Sequence, residues 1–192
     1  MSSQAVSKRL FVAIKPSLGQ IYHLDPFLKK LKKSFDQKEI NIKWSPLENM
    51  HVTLSFLGET GAEKIPELQS KISEVANEFS EFNLKIRDLG AFDHFQKART
   101  LFVDVQRSQS LLDLQSALEE KLGLTPQMQY YPHMTLGRLR NPNSIESAIG
   151  PFKKIDLGKG EISSIFLMES QLHGHFPVYS DVFEAYLAKN PA

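Results

Sequence analysis

The sequence has no cysteine among its 192 residues. This absence excludes disulfide bonds, thiolate metal ligands and a cysteine nucleophile. Long apolar runs are also missing, whereas a membrane-spanning helix needs about 20 predominantly apolar residues. The N-terminal segment, residues 1–10, is polar and shows no export signal. We therefore expect a cytoplasmic protein that has no membrane partner.

A strong charge of one sign is a further absence, because 23 basic and 22 acidic residues give a formal net charge of +1. The chain thus offers no bulk electrostatic attraction for wrapping a long nucleic acid, and any such contact should be local. Hydrophobic residues, in contrast, make up 41% of the chain. This proportion predicts a substantial core in one large domain or in two small fused lobes.

The pattern His-x-Thr-Leu-x-x-Leu is present twice, at residues 51–57 and 133–139. Side chains alternate between the two faces of a β-strand, so the His and the Thr of each copy point to the same side. The apolar residue between them points into a core. We predict that the two His-Thr pairs face one another across a cleft and act on a single phosphate.

The repeat extends beyond these two motifs. Residues 10–14 and 101–105 are similar apolar runs of strand-forming residues, and an amphipathic helix pattern follows each of them. We predict an α+β fold of two pseudo-symmetric sheet-and-helix lobes, with a central cleft that carries both motifs. The whole chain, 1–192, is expected to form one bilobal and monomeric domain with approximate half-repeats at 8–90 and 98–187.

Two histidines can divide one acid-base reaction, since the unperturbed pKa of histidine is about 6.5. In phosphodiester cleavage, a neutral imidazole accepts a proton from the attacking water while a protonated imidazole donates a proton to the departing oxygen. Two threonine hydroxyls can donate hydrogen bonds to the non-bridging oxygens of the phosphate. This chemistry requires neither a metal nor a cofactor, and none is expected.

Two other interpretations start from the same residues. A single His-x-Thr on a strand is commonly a structural pair whose polar groups are satisfied by their neighbours, but its duplication at equal offsets favours a functional site. A zinc site is the second interpretation, because histidine is a common zinc ligand. Three protein ligands are usual for zinc, however, and neither motif has a carboxylate at ligand spacing.

The paired motifs resemble the signature of the 2H phosphoesterase superfamily, and the surrounding segments resemble its RNA 2′,3′-cyclic phosphodiesterase branch, historically called 2′-5′ RNA ligase. The segments that carry the resemblance are residues 9–14, 44, 48–58, 89–92, 98–99, 132–138 and 169–179. The resemblance implies metal-independent hydrolysis of a terminal 2′,3′-cyclic phosphate to a 2′-phosphate, with RNA ends or small cyclic nucleotides as partners. Ligation of RNA ends through a 2′-5′ bond and non-catalytic binding of RNA ends are the alternatives.

The resemblance also implies roles for the four polar residues of the motifs. His51 would be the proton donor to the leaving 3′ oxygen, and His133 would be the proton acceptor that activates water. Thr53 and Thr135 would hold the phosphate.

The residues five positions after each histidine, Phe56 and Arg138, would contact the substrate according to the same resemblance. On a regular strand, however, an odd offset places both on the face opposite the histidines. Gly137 could mark a bulge that re-aims Arg138, whereas nothing comparable precedes Phe56. We therefore keep Arg138 as an expected phosphate ligand, while strand geometry predicts that Phe56 lies in the core.

Two tyrosines directly precede the second motif. Aromatic side chains beside a phosphate site can stack on an unpaired RNA base, and they can equally pack into the protein. Both interpretations stay open for Tyr130 and Tyr131, and Tyr131 is kept as a candidate substrate contact.

Overall fold

The computed structural model describes residues 7–126, 129–173 and 176–189, and it gives no description of the first six residues of the polar N-terminal segment. Within these ranges the backbone forms nine strands and four α-helices. The strands are β1 (Ser7–Ile14), β2 (Lys43–Trp44), β3 (Val52–Gly61), β4 (Phe82–Phe92), β5 (Ala98–Val105), β6 (His133–Asn143), β7 (Asp156–Ile162), β8 (Ser164–His173) and β9 (Phe176–Tyr186). The helices are α1 (Leu18–Gln37), α2 (Ile65–Glu78), α3 (Gln109–Leu122) and α4 (Glu146–Ile149).

The strands form one sheet in the order β7-β4-β5-β6-β3-β1-β8-β9, with β2 paired to the side of β6. Every pair of neighbouring strands in this order is antiparallel, and β3 and β6 meet at a single residue pair, Val52 and Met134. The sheet therefore divides at its centre into two halves of four strands each. This arrangement confirms the predicted α+β fold with two lobes.

The two halves of the sheet are built from different parts of the chain. The half that contains β6 comes from residues 82–162, whereas the half that contains β3 combines 7–14 and 52–61 with 164–186. Strand β4, which begins inside the first half-repeat of the sequence, thus joins the lobe of the second motif. Strands β8 and β9, from the second half-repeat, join the lobe of the first motif. The C-terminal strands are consequently required to complete the surroundings of the first motif.

The two faces of the sheet carry cores of different size. Leu10, Val12 and Ile14 of β1 belong to a large cluster that includes the buried faces of α1, α2 and α3. Phe11 and Ala13 point the other way and form a small apolar cluster with a methionine of β8. The helices therefore cover one face of the sheet, and the cleft opens on the other face.

Helix α1 illustrates how the local sequence sets this arrangement. Ser17 caps its first turn and Gln20 completes a capping box. Leucines at every third or fourth position then face the large cluster, as a 3.6-residue period requires. No helix within the described ranges is long and apolar enough to cross a membrane.

Candidate functional site

The two motifs meet where the halves of the sheet join. The apolar residue at the middle of one His-x-Thr lies opposite the corresponding residue of the other. This antiparallel register brings His51 towards Thr135 and Thr53 towards His133. All four side chains line one cleft of about 490 Å³. The structure therefore gathers two imidazoles and two hydroxyls around one volume.

Both imidazoles are oriented by the same backbone contact. Nδ1 of His51 lies 2.6 Å from the carbonyl oxygen of Asn49, and Nδ1 of His133 lies 2.8 Å from the carbonyl oxygen of Tyr131. A carbonyl oxygen can only accept, so each Nδ1 carries a hydrogen and donates it. Nε2 is then the nitrogen of each ring that is available to exchange a proton in the cleft.

Each imidazole is also packed between aromatic rings. The ring of His51 lies 5.0 Å from both Phe11 and Tyr179, measured between ring centroids. The ring of His133 lies 4.8 Å from Phe92 and 5.1 Å from Phe102. Burial among these rings lowers the pKa of both histidines below 6.5, because it disfavours the charged form.

Nearby charges then make the two histidines different. Beyond the effect of burial, the charges of His133, Arg138 and Lys15 lower the pKa of His51 further. Arg138 also lowers the pKa of His133, but the carboxylate of Asp104 acts in the opposite direction and raises it. Two matched ring orientations are therefore set in unequal electrostatic surroundings.

Phe56 and Arg138 both line the cleft, and 64% of the surface of Phe56 is exposed. The prediction from regular strand geometry that Phe56 lies in the core was wrong. The reason is a register shift in β3, where Val12 and Ala13 of β1 pair with Ser55 and Thr53 and leave one residue of β3 without a counterpart. A bulge of one residue reverses the facing of the residue pairs that follow directly, so Phe56 points to the histidine side.

The second motif has the same irregularity at the same position. Leu101 and Phe102 of β5 pair with Gly137 and Thr135, so one residue of β6 is again skipped. Arg138 consequently points to the histidine side, where its Nη1 donates to the hydroxyl of Thr100 at 3.2 Å. The structure thus places Arg138 in the cleft, and it shows that a bulge also precedes Phe56.

Gly137 has a packing role as well. A Cβ atom at this position would lie 2.9 Å from the carbonyl oxygen of Lys43 and 3.0 Å from the side chain of Ile42. The short strand β2 pairs here, with Lys43 opposite Arg138. The absence of a side chain therefore lets β2 lie against β6 and places Lys43 at the edge of the cleft.

The two tyrosines before the second motif differ in position. Tyr130 is buried, and its hydroxyl donates to the carbonyl oxygen of Thr53 at 2.9 Å, so it ties the two motifs together. Tyr131 is 43% exposed, and its hydroxyl donates to Asp104 at 2.6 Å. Burial raises the pKa of Tyr131 to about 12, which keeps the hydroxyl protonated. Among the described residues, those that line the cleft do not include either tyrosine.

Several residues of the site were not predicted from the sequence. The aromatic rings around the histidines are the clearest case, although three of the four lie in segments that carry the family resemblance. Phe11 and Phe102 occupy the same place in the two matched apolar runs, which is a signal that could have identified them. Within the described ranges, no three His, Asp or Glu side chains lie together as metal ligands.

Proteins of solved structure share this fold. A crystal structure of a protein from Thermus thermophilus matches with a TM-score of 0.72 over 95% of this chain and 100% of that chain, at 21% identity. The crystal structure of E. coli LigT complexed with 3′-AMP gives a TM-score of 0.66 over 95% of this chain and 99% of that chain, at 20% identity. The chain therefore has the two-lobed α+β fold of the LigT class.

Sequence comparison defines the family. The model of the 2′-5′ RNA ligase superfamily matches residues 22–174, and the chain belongs to this superfamily. A relative from Archaeoglobus fulgidus named RNA 2′,3′-cyclic phosphodiesterase is 30% identical, over 92% of this chain and 99% of the relative. A relative of the same name from Methanothermobacter thermautotrophicus is 27% identical, over 91% and 96%. The family resemblance predicted from the paired motifs is confirmed.

Proposed function

We propose that this protein hydrolyses the terminal 2′,3′-cyclic phosphate of RNA to a 2′-phosphate, without a metal, by acid-base catalysis from two histidines. The observation that carries the proposal is the matched orientation of the two imidazoles, each with Nδ1 bound to a backbone carbonyl and Nε2 left for the cleft. Relatives that align over almost their whole length carry the corresponding name, which supports the same substrate class.

In the proposed reaction, Nε2 of His133 accepts a proton from a water molecule as the water oxygen forms a bond to phosphorus. The bond between phosphorus and the 3′ oxygen breaks, and Nε2–H of His51 donates a proton to that oxygen. The product is a 2′-phosphate with a free 3′-hydroxyl. One proton has then moved from water to His133 and one from His51 to the product, and exchange with solvent resets both rings.

Charge that develops on the non-bridging oxygens needs donors in the cleft. Thr53 and Thr135 supply hydroxyls from the two strands, and Arg138 supplies a guanidinium that is positioned by Thr100. Such preorganised donors stabilise the transition state because they need no reorganisation during the reaction. Phe56, which is largely exposed in the cleft, supplies apolar surface on which the terminal base can rest.

The deciding experiment is incubation of the protein with an oligoribonucleotide that ends in a 2′,3′-cyclic phosphate, followed by identification of the product. We expect a 2′-phosphate, with an unchanged rate in the presence of EDTA. The variant Thr53→Val/Thr135→Val, which removes both hydroxyls with little change of volume, should reduce the rate strongly while leaving the circular dichroism spectrum unchanged.

Other products of the same incubation would contradict the proposal in distinct ways. A 3′-phosphate would mean that the other phosphorus–oxygen bond breaks. Joined RNA in the presence of a 5′-hydroxyl oligonucleotide, without hydrolysis, would assign ligation instead. Tight binding without turnover would leave an RNA-end binder, and activity that is lost in EDTA and restored by zinc would require a metal.

A further inference from the structure

A second cavity adjoins the cleft. It has a volume of about 940 Å³ and is lined by Glu39, Asn41 and Lys43, at and before the start of β2, and by residues 138–143 of β6. We call it the β2–β6 groove. Lys43 and Arg138 line both the cleft and the groove. The two cavities therefore form a continuous surface that extends away from the histidines along β6.

The junction between the cleft and the β2–β6 groove is formed by the backbone pairing of β2 with β6. Lys43 lies directly opposite Arg138 in the antiparallel pair of β2 and β6. Their side chains consequently stand on the same face, side by side, at the point where the cleft becomes the groove. Gly137 makes this pairing close, because a Cβ there would collide with the carbonyl oxygen of Lys43. Two cationic residues therefore occupy neighbouring positions at this point.

The groove carries more positive charge than the protein as a whole. Its lining contains the cations of Lys43, Arg138 and Arg140, and among the described residues that line it Glu39 is the only acid. The local excess is two positive charges, whereas the entire chain has a formal net charge of +1. A groove of this kind complements a polyanion that passes along it.

Asparagine side chains give the groove a second property. Asn41, Asn141 and Asn143 line it together with the cations. An amide can both donate and accept, so it can bind a ribose hydroxyl or a base edge as well as a phosphate oxygen. Single-stranded RNA presents all three groups, because its base edges are not engaged in base pairs. The lining therefore suits a strand of RNA better than it suits an isolated anion.

We propose that the β2–β6 groove binds the nucleotides immediately upstream of the terminal cyclic phosphate, with Arg140 and Lys43 paired to their backbone phosphates. This inference rests on the proposed function, since it takes the terminal phosphate to lie at the two histidines. It assigns the cleft to the last nucleotide and the groove to those before it. The protein then distinguishes an RNA end from a mononucleotide by contacts outside the reacting centre.

Arg140 tests the groove because it lines the groove and is not among the residues that line the cleft. The measurement is kcat/KM for two substrates: an oligoribonucleotide of about eight residues with a cyclic end, and a mononucleoside 2′,3′-cyclic phosphate. Arg140→Ala should lower kcat/KM for the oligonucleotide by about tenfold, through KM, and Arg140→Glu should lower it further. The value for the mononucleotide should not change.

Glu39 provides a variant of the opposite sign. Glu39→Gln removes the acid with almost no change of shape, so it should raise kcat/KM for the oligonucleotide and leave the mononucleotide unaffected. Lys159→Ala, an equal loss of charge on β7 outside both cavities, is the control and should change neither value. The slope of log KM against log salt concentration should fall by about 0.7 for each lost phosphate contact.

Equal effects of Arg140→Glu on the two substrates, or no effect on either, would contradict the proposal that the groove binds the upstream nucleotides. If the wild-type protein hydrolyses neither substrate, the proposed function fails and the groove is judged by binding alone. Fluorescence anisotropy with an oligoribonucleotide that ends in a 2′-phosphate then compares the wild-type protein, Arg140→Glu and Lys159→Ala. Weaker binding by Arg140→Glu alone supports the groove, and equal binding by all three proteins rejects it.

Discussion

The half of the cleft around His51 and the half around His133 orient the imidazole in the same way, but they surround it with different charged residues. In both halves Nδ1 binds the carbonyl oxygen two residues earlier in the chain, and aromatic rings flank the imidazole. A bulge within each motif turns the fifth residue after the histidine into the cleft. That residue is Phe56 in one half and Arg138 in the other. The two residues therefore occupy equivalent positions in the two halves, but one side chain is apolar and the other is a cation.

The charges give the two rings different acid and base strengths. After burial, the charges of His133, Arg138 and Lys15 add to the lowering of the pKa of His51, which makes its imidazolium a stronger acid. Asp104 opposes the lowering of the pKa of His133, which makes its neutral ring a stronger base. The same charges disfavour the protonation state in which His51 is charged and His133 is neutral. The rate therefore depends on two quantities: the acid and base strengths of the two rings, and the fraction of molecules in which His51 is protonated and His133 is neutral.

Removal of either imidazole should have the largest effect. His51→Ala and His133→Ala should each lower kcat by about 10²–10⁴-fold, the usual contribution of a general acid or base. The two variants should differ on a substrate whose leaving 3′ oxygen is replaced by sulfur, because a thiolate is stable enough to leave without a proton. His51→Ala should then regain most of its activity, whereas His133→Ala should not.

Single-turnover rates of both variants on both substrates provide this measurement. His23→Ala is the control, because His23 lies on α1 and is not among the residues that line the cleft. Its rate should equal that of the wild-type protein. Rescue of His133→Ala instead of His51→Ala would exchange the two roles, and a near-normal rate of either variant on the oxygen substrate would remove that residue from the mechanism.

The residues after the two bulges should differ in the kinetic parameter that they control. Arg138→Ala should lower kcat/KM by about 100-fold, mainly through kcat, because it removes positive charge from the developing phosphorane. Phe56→Ala should lower it by about tenfold, mainly through KM, because it removes a surface for the terminal base. Steady-state kinetics on a mononucleoside 2′,3′-cyclic phosphate measures both.

Arg99→Ala serves as the control for this pair, since Arg99 forms an exposed ion pair with Asp93 and does not line the cleft. It should behave like the wild-type protein. If Phe56→Ala changed kcat as much as Arg138→Ala did, the two positions would be equivalent in function, and the distinction between the halves would be lost.

These two positions also show where sequence reasoning succeeds and where it stops. The facing of each His and Thr follows from a period of two residues, which needs no knowledge of neighbouring strands. The bulge depends on the pairing with β1 or β5, which strand periodicity does not describe. A signal was nevertheless present: Leu136 and Leu139 both belong to the large core. Leucines three residues apart can share one face of a strand only if a bulge separates them.

Substitution of the second residue of each bulge should change the free energy of unfolding differently in the two halves. Gly137→Ala places a Cβ against the backbone of β2, so it should lower the free energy of unfolding by about 1–3 kcal/mol. Ser55 occupies the matching position and is fully buried, and no described residue hydrogen-bonds to its hydroxyl. Ser55→Ala should be neutral or should raise the free energy of unfolding by up to about 1 kcal/mol.

Urea denaturation measures both changes. Gly150→Ala is the matched control, because a Cβ at that position meets nothing within 4 Å. It should show only the small stabilisation that comes from a less flexible unfolded chain. Equal destabilisation by Gly137→Ala and Gly150→Ala would mean that β2 does not depend on a glycine in β6.

The smallest effects are expected from the charges beside each histidine, and they should have opposite signs. Burial places both pKa values below 6.5, so the bell-shaped profile of kcat/KM should have its maximum below pH 6.5. Asp104→Asn removes the carboxylate that raises the pKa of His133, so the bell should move to lower pH. Lys15→Met removes a cation that lowers the pKa of His51, so the bell should move to higher pH.

Each displacement should be a fraction of a pH unit, because Lys15 is paired with Asp181 at 2.5 Å and Asp104 accepts from Tyr131. The profile belongs to the coupled pair of histidines, so proton NMR titration of the two rings in the free protein is needed to assign each displacement. Lys29→Met breaks a comparable surface ion pair on α1 and should move neither ring. Displacements of the same sign in Asp104→Asn and Lys15→Met would show that these charges do not distinguish the acid from the base.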